Sequence, residues 1–293
     1  MKKTDHAVCR FYCRRHTVNK SEYLIRIGFM KKLSVTILKI LVFFIGWAVL
    51  SGIIDIPVEN PALWRFFAEL IPFAVIVAFT IVFLFREKGE ISIPVRDPSG
   101  KGIMIGCAVG ICWIGIVSGV LLLSHQLTIV GKNSVSMLWL WILSAFINTV
   151  MQELLVRGYI YQLVRQRYSL AAAIIVTTAL FTLMHGGAFE AGILPVINVI
   201  TMCLFTTALY EAENTLAAPV MAHAVWNIVG GIFLGGVSLA DDYPHLLTLR
   251  ASANTLLSGG TYMIESSIIT LVVNILLLMV FCRKIKSAEK QSD

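Results

Sequence analysis

Charge is scarce in this sequence, and that scarcity argues against a soluble fold. Asp, Glu, Lys and Arg make up 14% of the 293 residues, whereas a soluble globular domain carries about 25%. Hydrophobic residues make up 57%, and the mean hydropathy is +0.81. This composition predicts an integral membrane protein.

Cysteine is also scarce, and its spacing favours no metal motif. His6, Cys9, Cys13 and His16 lie close together near the N-terminus, but the gap between the two cysteines is too short for a zinc finger. The other four lie in apolar segments, where cysteine behaves as a small hydrophobic residue: Cys107, Cys112, Cys203 and Cys282.

Eight hydrophobic runs are candidate transmembrane helices, because a helix that spans a bilayer needs about 18 or more apolar residues. The polar breaks between them are short, and there is no internal repeat. The predicted fold class is therefore all-α, a polytopic membrane helical bundle of about eight transmembrane helices. The runs cover residues 33–54, 66–85, 102–124, 137–164, 169–185, 192–210, 216–235 and 263–282.

The segments outside the bundle are short and basic. Residues 1–32 are predicted to form a cytoplasmic arm, either disordered or an upstream extension, and the start at Met1 or Met30 stays open. Residues 33–282 form the predicted bundle, and residues 283–293 form a cytoplasmic tail.

Basic residues fall mostly on one side of an eight-helix bundle. Nineteen of the 24 Lys and Arg residues lie in the arm, the tail and two connections that share that side. The positive-inside rule then places both termini in the cytoplasm. These flanks account for the net charge of +7, so we expect membrane lipid, and no nucleic acid, as a partner.

Five polar side chains interrupt the apolar runs. Glu153 and Arg157 lie four residues apart, as do His223 and Asn227, so each pair shares one helix face. His185 ends another run. Because polar residues inside a membrane usually face the bundle interior, we expect these side chains to form one cluster.

Taken singly, each of these residues has a structural interpretation. The Glu153–Arg157 pair could simply hold helices together, and His223 or Asn227 could form hydrogen bonds between helices. Together, a carboxylate, two imidazoles and an amide are the groups that activate water and stabilise an oxyanion. Glu190, just beyond His185, is a further candidate.

Three short motifs occur in order within residues 148–232. QELLVRG begins at Gln152, FTLMH begins at Phe181, and HAVWN begins at His223. They resemble the E-E-x-x-x-R, F-x-x-x-H and H-x-x-x-N/D motifs of the CAAX protease and bacteriocin-processing family, also called Abi-type intramembrane proteases. Each motif is weak alone, but the three in order on successive hydrophobic helices are specific.

The resemblance implies an intramembrane endopeptidase in which glutamate and histidine activate water. Its substrate would be a membrane-associated peptide or protein, either a prenylated C-terminus or a bacteriocin-type leader, at the plasma membrane of a bacterium. The implied catalytic residues are Glu153, His185, His223 and Asn227, with Gln152, Arg157 and Phe181 in support.

The first motif departs from the family pattern at Gln152. The family's first Glu is credited as the general base, and a neutral amide cannot take a proton from water. Three interpretations stay open: Glu153 is the base, another carboxylate is, or the protein is a silent member that acts in immunity or peptide binding. We expect peptidase activity over silence.

A metal is the alternative to this metal-free chemistry. Glu153, His185 and His223 would be the ligands of zinc or another divalent ion. The sequence has no H-E-x-x-H motif, and these ligands would come from three separate helices. We therefore favour a site without a metal or another cofactor.

Overall fold

The computed structural model describes residues 20–95, 97–240 and 242–292. The chain divides into two compact units, residues 1–46 and 47–293. The first unit contains most of helix α1, and the second contains all other elements described below. The metal-like spacing from His6 to His16 lies outside the described residues.

Helices make up most of the described chain. Helix α9 continues directly into a π-helix (Ile228–Phe233), and a 3₁₀ helix (Gly260–Ser266) precedes α11, separated from it by the extended residue Ser267. The α-helices are α1 (Lys20–Ile53), α2 (Pro61–Arg86), α3 (Lys101–Leu123), α4 (Leu138–Arg157), α5 (Tyr159–Arg167), α6 (Leu170–Met184), α7 (Gly186–Ala191), α8 (Ile193–Glu213), α9 (Ala217–Asn227), α10 (Thr255–Ser258) and α11 (Ile268–Ser292).

Every predicted hydrophobic run is helical in the structure. Among the described residues, six helical segments are long and apolar enough to cross a membrane, and two apolar helices are shorter, Leu170–Met184 and Ala217–Phe233. The predicted all-α polytopic membrane bundle is therefore confirmed. The apolar helices of the described residues differ in length, and α4 and α5 together form one long segment.

The first and last helices extend beyond the hydrophobic runs. Helix α1 begins at Lys20, inside the segment expected to be an arm, and α11 continues to Ser292 through the expected tail. Hydropathy marks where apolar residues end, whereas Lys, Arg and Glu are themselves good helix formers. The helices therefore continue past the apolar residues.

Two short strands join connections that are far apart in sequence. Strand β1 (Leu127–Lys132) pairs antiparallel with β2 (Leu247–Ala251), and the register is irregular between Ile129 and Gly131. The hydrophobic pattern did not predict this ladder, because both strands are brief and lie between apolar runs.

Ion pairs link the segments that connect the helices, and these pairs lie at two ends of the second unit. At one end Arg65 forms an ion pair with Asp242, in the connection that also carries β2. The ion pairs at the opposite end are Arg167–Glu87 at 2.8 Å, Arg165–Glu211 at 2.9 Å and Lys284–Glu213.

Glycines allow α3 to pack closely against α9, the helix that carries His223 and Asn227. A Cβ atom added at Gly110 would lie 2.8 Å from the carbonyl oxygen of Ala222 and 3.0 Å from its Cα, and one added at Gly106 would meet the carbonyl oxygen of Ala218. Small residues at four-residue spacing permit such close helix contact in membranes.

We expect Gly110→Leu to destabilise the bundle, because the new side chain would push α3 away from α9. Overpacking of this kind costs about 1–3 kcal/mol, which thermal unfolding in detergent would detect as a lower Tm. Gly119→Leu on the same helix is the matched control, since a Cβ there meets nothing within 4 Å. Equal losses in the two variants would contradict the packing argument.

Candidate active site

A buried ion pair on α4 lies at the centre of the candidate site. Arg157 Nη1 donates to Glu153 Oε2 at 2.6 Å, and both residues have 0% exposure. Arg157 Nη2 donates to the carbonyl oxygen of Cys203 at 2.8 Å and also to Thr206 Oγ1, both on α8. The pair therefore links α4 to α8.

The other oxygen of Glu153 orients His223. His223 Nδ1 lies 2.9 Å from Glu153 Oε1. Glu153 is ionised in its pair with Arg157, and an ionised carboxylate can only accept hydrogen bonds. The proton in the bond between Glu153 and His223 is therefore carried by His223 Nδ1. Nε2 is then the ring nitrogen of His223 that remains for a substrate. Glu153 has both oxygens engaged.

His185 is oriented in the same way by a backbone carbonyl. It follows the last residue of α6, and its Nδ1 lies 2.8 Å from the carbonyl oxygen of Phe181. A carbonyl can only accept, so Nδ1 carries the proton and Nε2 of the neutral ring has the free lone pair. The Phe181 ring contacts both imidazoles, with centroids 4.3 Å from His185 and 6.1 Å from His223.

Asn227 has a fixed amide orientation as well. Its Nδ2 donates to Thr149 Oγ1 at 3.0 Å, and Thr149 Oγ1 donates its own hydrogen to the carbonyl oxygen of Ala145 at 2.8 Å. The hydroxyl can therefore only accept from Asn227. The second Nδ2 hydrogen of Asn227 remains for another acceptor.

Four of the residues predicted from the motifs line one cavity of about 410 Å³: Gln152, His185, His223 and Asn227. Glu153 is not among the lining residues. The structure thus brings together the predicted histidines and amides, and places the motif carboxylate behind them.

Two carboxylates line this cavity, Glu190 and Glu265. Glu190 was a candidate from the sequence, whereas Glu265 was missed. Glu265 Oε2 accepts from the backbone N–H of Ser238 at 2.9 Å. The available signal was a lone acidic residue at the start of the last hydrophobic run, a position that looks like an ordinary helix boundary.

Gly158, the last residue of the first motif, allows α4 to end sharply after Arg157. A Cβ atom at Gly158 would meet the carbonyl oxygen of Leu154, and it would lie 3.0 Å from the carbonyl carbon. Helix α5 begins at the next residue. Only glycine, which has no Cβ atom, fits where the backbone of residue 158 approaches the carbonyl group of Leu154.

The candidate metal ligands are bonded to other groups of the protein in this structure. The oxygens of Glu153 already bind Arg157 and His223, and His223 Nδ1 is bonded to Glu153 rather than directed away from it. A guanidinium at 2.6 Å also repels a cation. Within the described residues, no three His, Cys, Asp or Glu side chains gather as metal ligands would.

Comparison with known families places one segment of the chain beside a described family. Residues 134–229 match the family described as Type II CAAX prenyl endopeptidase Rce1-like. This segment contains α4 to α9 and all three motifs. This segment is therefore similar to the CAAX protease family. The matched segment holds every motif residue of the site, while no curated protein and no solved structure matches the chain.

We expect Glu153→Gln to destabilise the protein strongly, because it leaves the buried Arg157 without its counter-charge. Removing one partner of a buried ion pair costs about 3–5 kcal/mol, measured as a lower Tm in detergent. Glu211→Gln is the control, because its partner Arg165 is 41% exposed and such pairs contribute about 0–1 kcal/mol. A small effect at Glu153 would show that Arg157 does not depend on this carboxylate.

Proposed function

We propose that this protein is an intramembrane endopeptidase that hydrolyses a membrane-associated peptide in the cavity. One observation carries the proposal. His185 and His223 line the same cavity, and each has its Nδ1 engaged by an acceptor on the protein. Each ring therefore has Nε2 left for the reacting groups.

In this proposal His185 is the general base. Its neutral ring has a lone pair on Nε2, because Nδ1–H is used by the Phe181 carbonyl. Nε2 takes a proton as water attacks the scissile carbonyl carbon. It then returns that proton to the leaving amine, as a positioned imidazole does in acid–base catalysis.

His223 and Asn227 would stabilise the oxyanion of the tetrahedral intermediate. Asn227 has a second Nδ2 hydrogen, since Thr149 accepts only one. His223 Nε2 can donate when the ring carries both protons, and the oxyanion itself would balance that positive charge, since Glu153 already balances Arg157. Donors placed where negative charge develops are often the largest single contribution to catalysis.

Glu153 is proposed as a positioning residue, which differs from the role of base considered from its sequence. Both of its oxygens are bonded within the protein, and it does not line the cavity. Its function would be to orient His223. Arg157 would hold Glu153 in place, and Phe181 would separate and support the two imidazoles.

The proposed setting is the lipid bilayer of a bacterial plasma membrane, with both termini in the cytoplasm. The substrate would be a prenylated C-terminus or a bacteriocin-type leader, which are the classes implied by the family. The mechanism uses only side chains of this chain and requires no metal.

A second candidate function is favoured by Gln152. This residue lines the cavity, where the family motif has a glutamate, and an amide takes no proton from water. A silent member would keep the same cavity for peptide binding or immunity. In that case a protective or binding phenotype would survive loss of His185 and His223.

We expect His185→Ala to abolish cleavage by the purified protein, tested in detergent with prenylated and leader-type peptides. Loss of a general base costs about 10²–10⁴-fold in rate. His125→Asn is the matched control, because His125 lies outside the cavity and Asn tolerates its positive φ of 55°. A chelator should leave the wild-type rate unchanged. Full activity of His185→Ala would contradict the proposed mechanism.

A further inference from the structure

A line of polar side chains runs from the cavity wall into α2. Gln152 Nε2 donates to Asn148 Oδ1 at 2.6 Å, and Asn148 Nδ2 donates to Glu69 Oε2 at 2.7 Å. Arg65 Nη1 donates to the other oxygen of Glu69 at 3.1 Å. Glu69 is buried, so this line crosses the interface between α2 and α4 inside the protein.

The carboxylate sets the direction of every bond in the line. Beside Arg65, an ionised Glu69 only accepts, so Asn148 must turn its NH₂ group toward it. Asn148 then presents its oxygen to Gln152, and Gln152 must turn its own NH₂ group toward Asn148. Gln152 Oε1 is thereby directed away from Asn148.

This oxygen is an acceptor that lacks a donor within the part of the chain that the structure describes. Gln152 Oε1 is buried and forms no hydrogen bond with any described residue. Unpaired buried polar atoms are rare and costly in native structures. Because Gln152 lines the cavity with His185 and His223, the donor available to it is a water or a substrate group bound there.

We propose that Gln152 orients the attacking water, and that Asn148 and Glu69 are positioning residues that fix its acceptor. This inference rests on the proposed peptidase function. The water oxygen forms the bond to the scissile carbonyl carbon, and one water proton passes to His185 Nε2. The second hydrogen stays on the oxygen and is held by Gln152 Oε1. The peptide C–N bond then breaks, and His185 returns its proton to the amine. Gln152 gains and loses no proton.

The line also predicts that a carboxylate at position 152 is incompatible with Glu69. In Gln152→Glu, the new carboxylate would meet the oxygen of Asn148. If Asn148 turned over, its oxygen would meet Glu69 instead. Exchanging the two end groups resolves the conflict. In Gln152→Glu/Glu69→Gln, the new amide at position 69 donates to Asn148, and Asn148 donates to the new carboxylate.

The test is a double-mutant cycle on the full-length protein in detergent, with Tm, kcat and KM measured for the wild type, both single variants and the double variant. We expect Gln152→Glu alone to lower both Tm and kcat. The double variant should recover kcat about tenfold over Gln152→Glu, a coupling typical of residues in one hydrogen-bond network. Its Tm should exceed the value expected from the sum of the single losses.

A further variant separates water orientation from structure. Gln152→Leu keeps a similar volume but has no acceptor, so kcat should fall while KM stays near the wild-type value. As a control for the loss of a carboxylate outside this line, Glu211→Gln replaces Glu69→Gln in a second cycle. Glu211 bonds Tyr161 and Arg165 away from the cavity, so its effects should add to those of Gln152→Glu.

The two proposals fail in different ways. A wild type that cleaves peptide, combined with additive losses in the Gln152/Glu69 cycle, would overturn the positioning line and leave the peptidase function intact. A wild type that cleaves no peptide would overturn the peptidase function and the water-orienting role with it. The Tm cycle would still report whether residues 69 and 152 are coupled.

Discussion

The ion pair between Glu153 and Arg157 is the constraint around which the candidate site is built. A lone charge inside a membrane bundle is costly, and it is tolerated when it is paired with an opposite charge there. Arg157 Nη2 donates to α8, and Glu153 uses its remaining oxygen on α9. One pair therefore holds three helices in register, and the Phe181 ring from α6 packs 5.9 Å from its guanidinium.

This arrangement determines which groups are free to react. Glu153 is the only motif carboxylate, yet it has no unoccupied oxygen and does not face the cavity. His185 and His223 each bond through Nδ1, and Asn227 bonds through one Nδ2 hydrogen. These bonds leave Nε2 of each ring and the second Nδ2 hydrogen of Asn227 without a partner in the bonds described above. In the proposed mechanism, satisfying one end of each side chain leaves the other end for the reacting groups, as orienting partners do for catalytic histidines.

Local spacing in the sequence was sufficient to predict the helices and the clusters on each of them. The four-residue spacing of Glu153 and Arg157, and of His223 and Asn227, placed each pair on one face, and the structure shows those faces meeting. The partners across helices were not predictable, because the carbonyl of Cys203 and the side chain of Glu69 carry no pattern of their own. The β1–β2 ladder and Glu265 were missed for the same reason: their roles depend on which connections meet in space.

The intrahelical position of the ion pair has a consequence for how the protein enters the membrane. Residues four apart on one helix can form their bond as soon as that helix forms. Helix α4 therefore carries its own counter-charge into the bilayer, and this pairing does not depend on contact with α8 or α9. The cross-helix bonds of Arg157 and Glu153 are added afterwards, as each later segment arrives. Insertion of α4 thus does not require a charged residue on another helix to be present in the bilayer first.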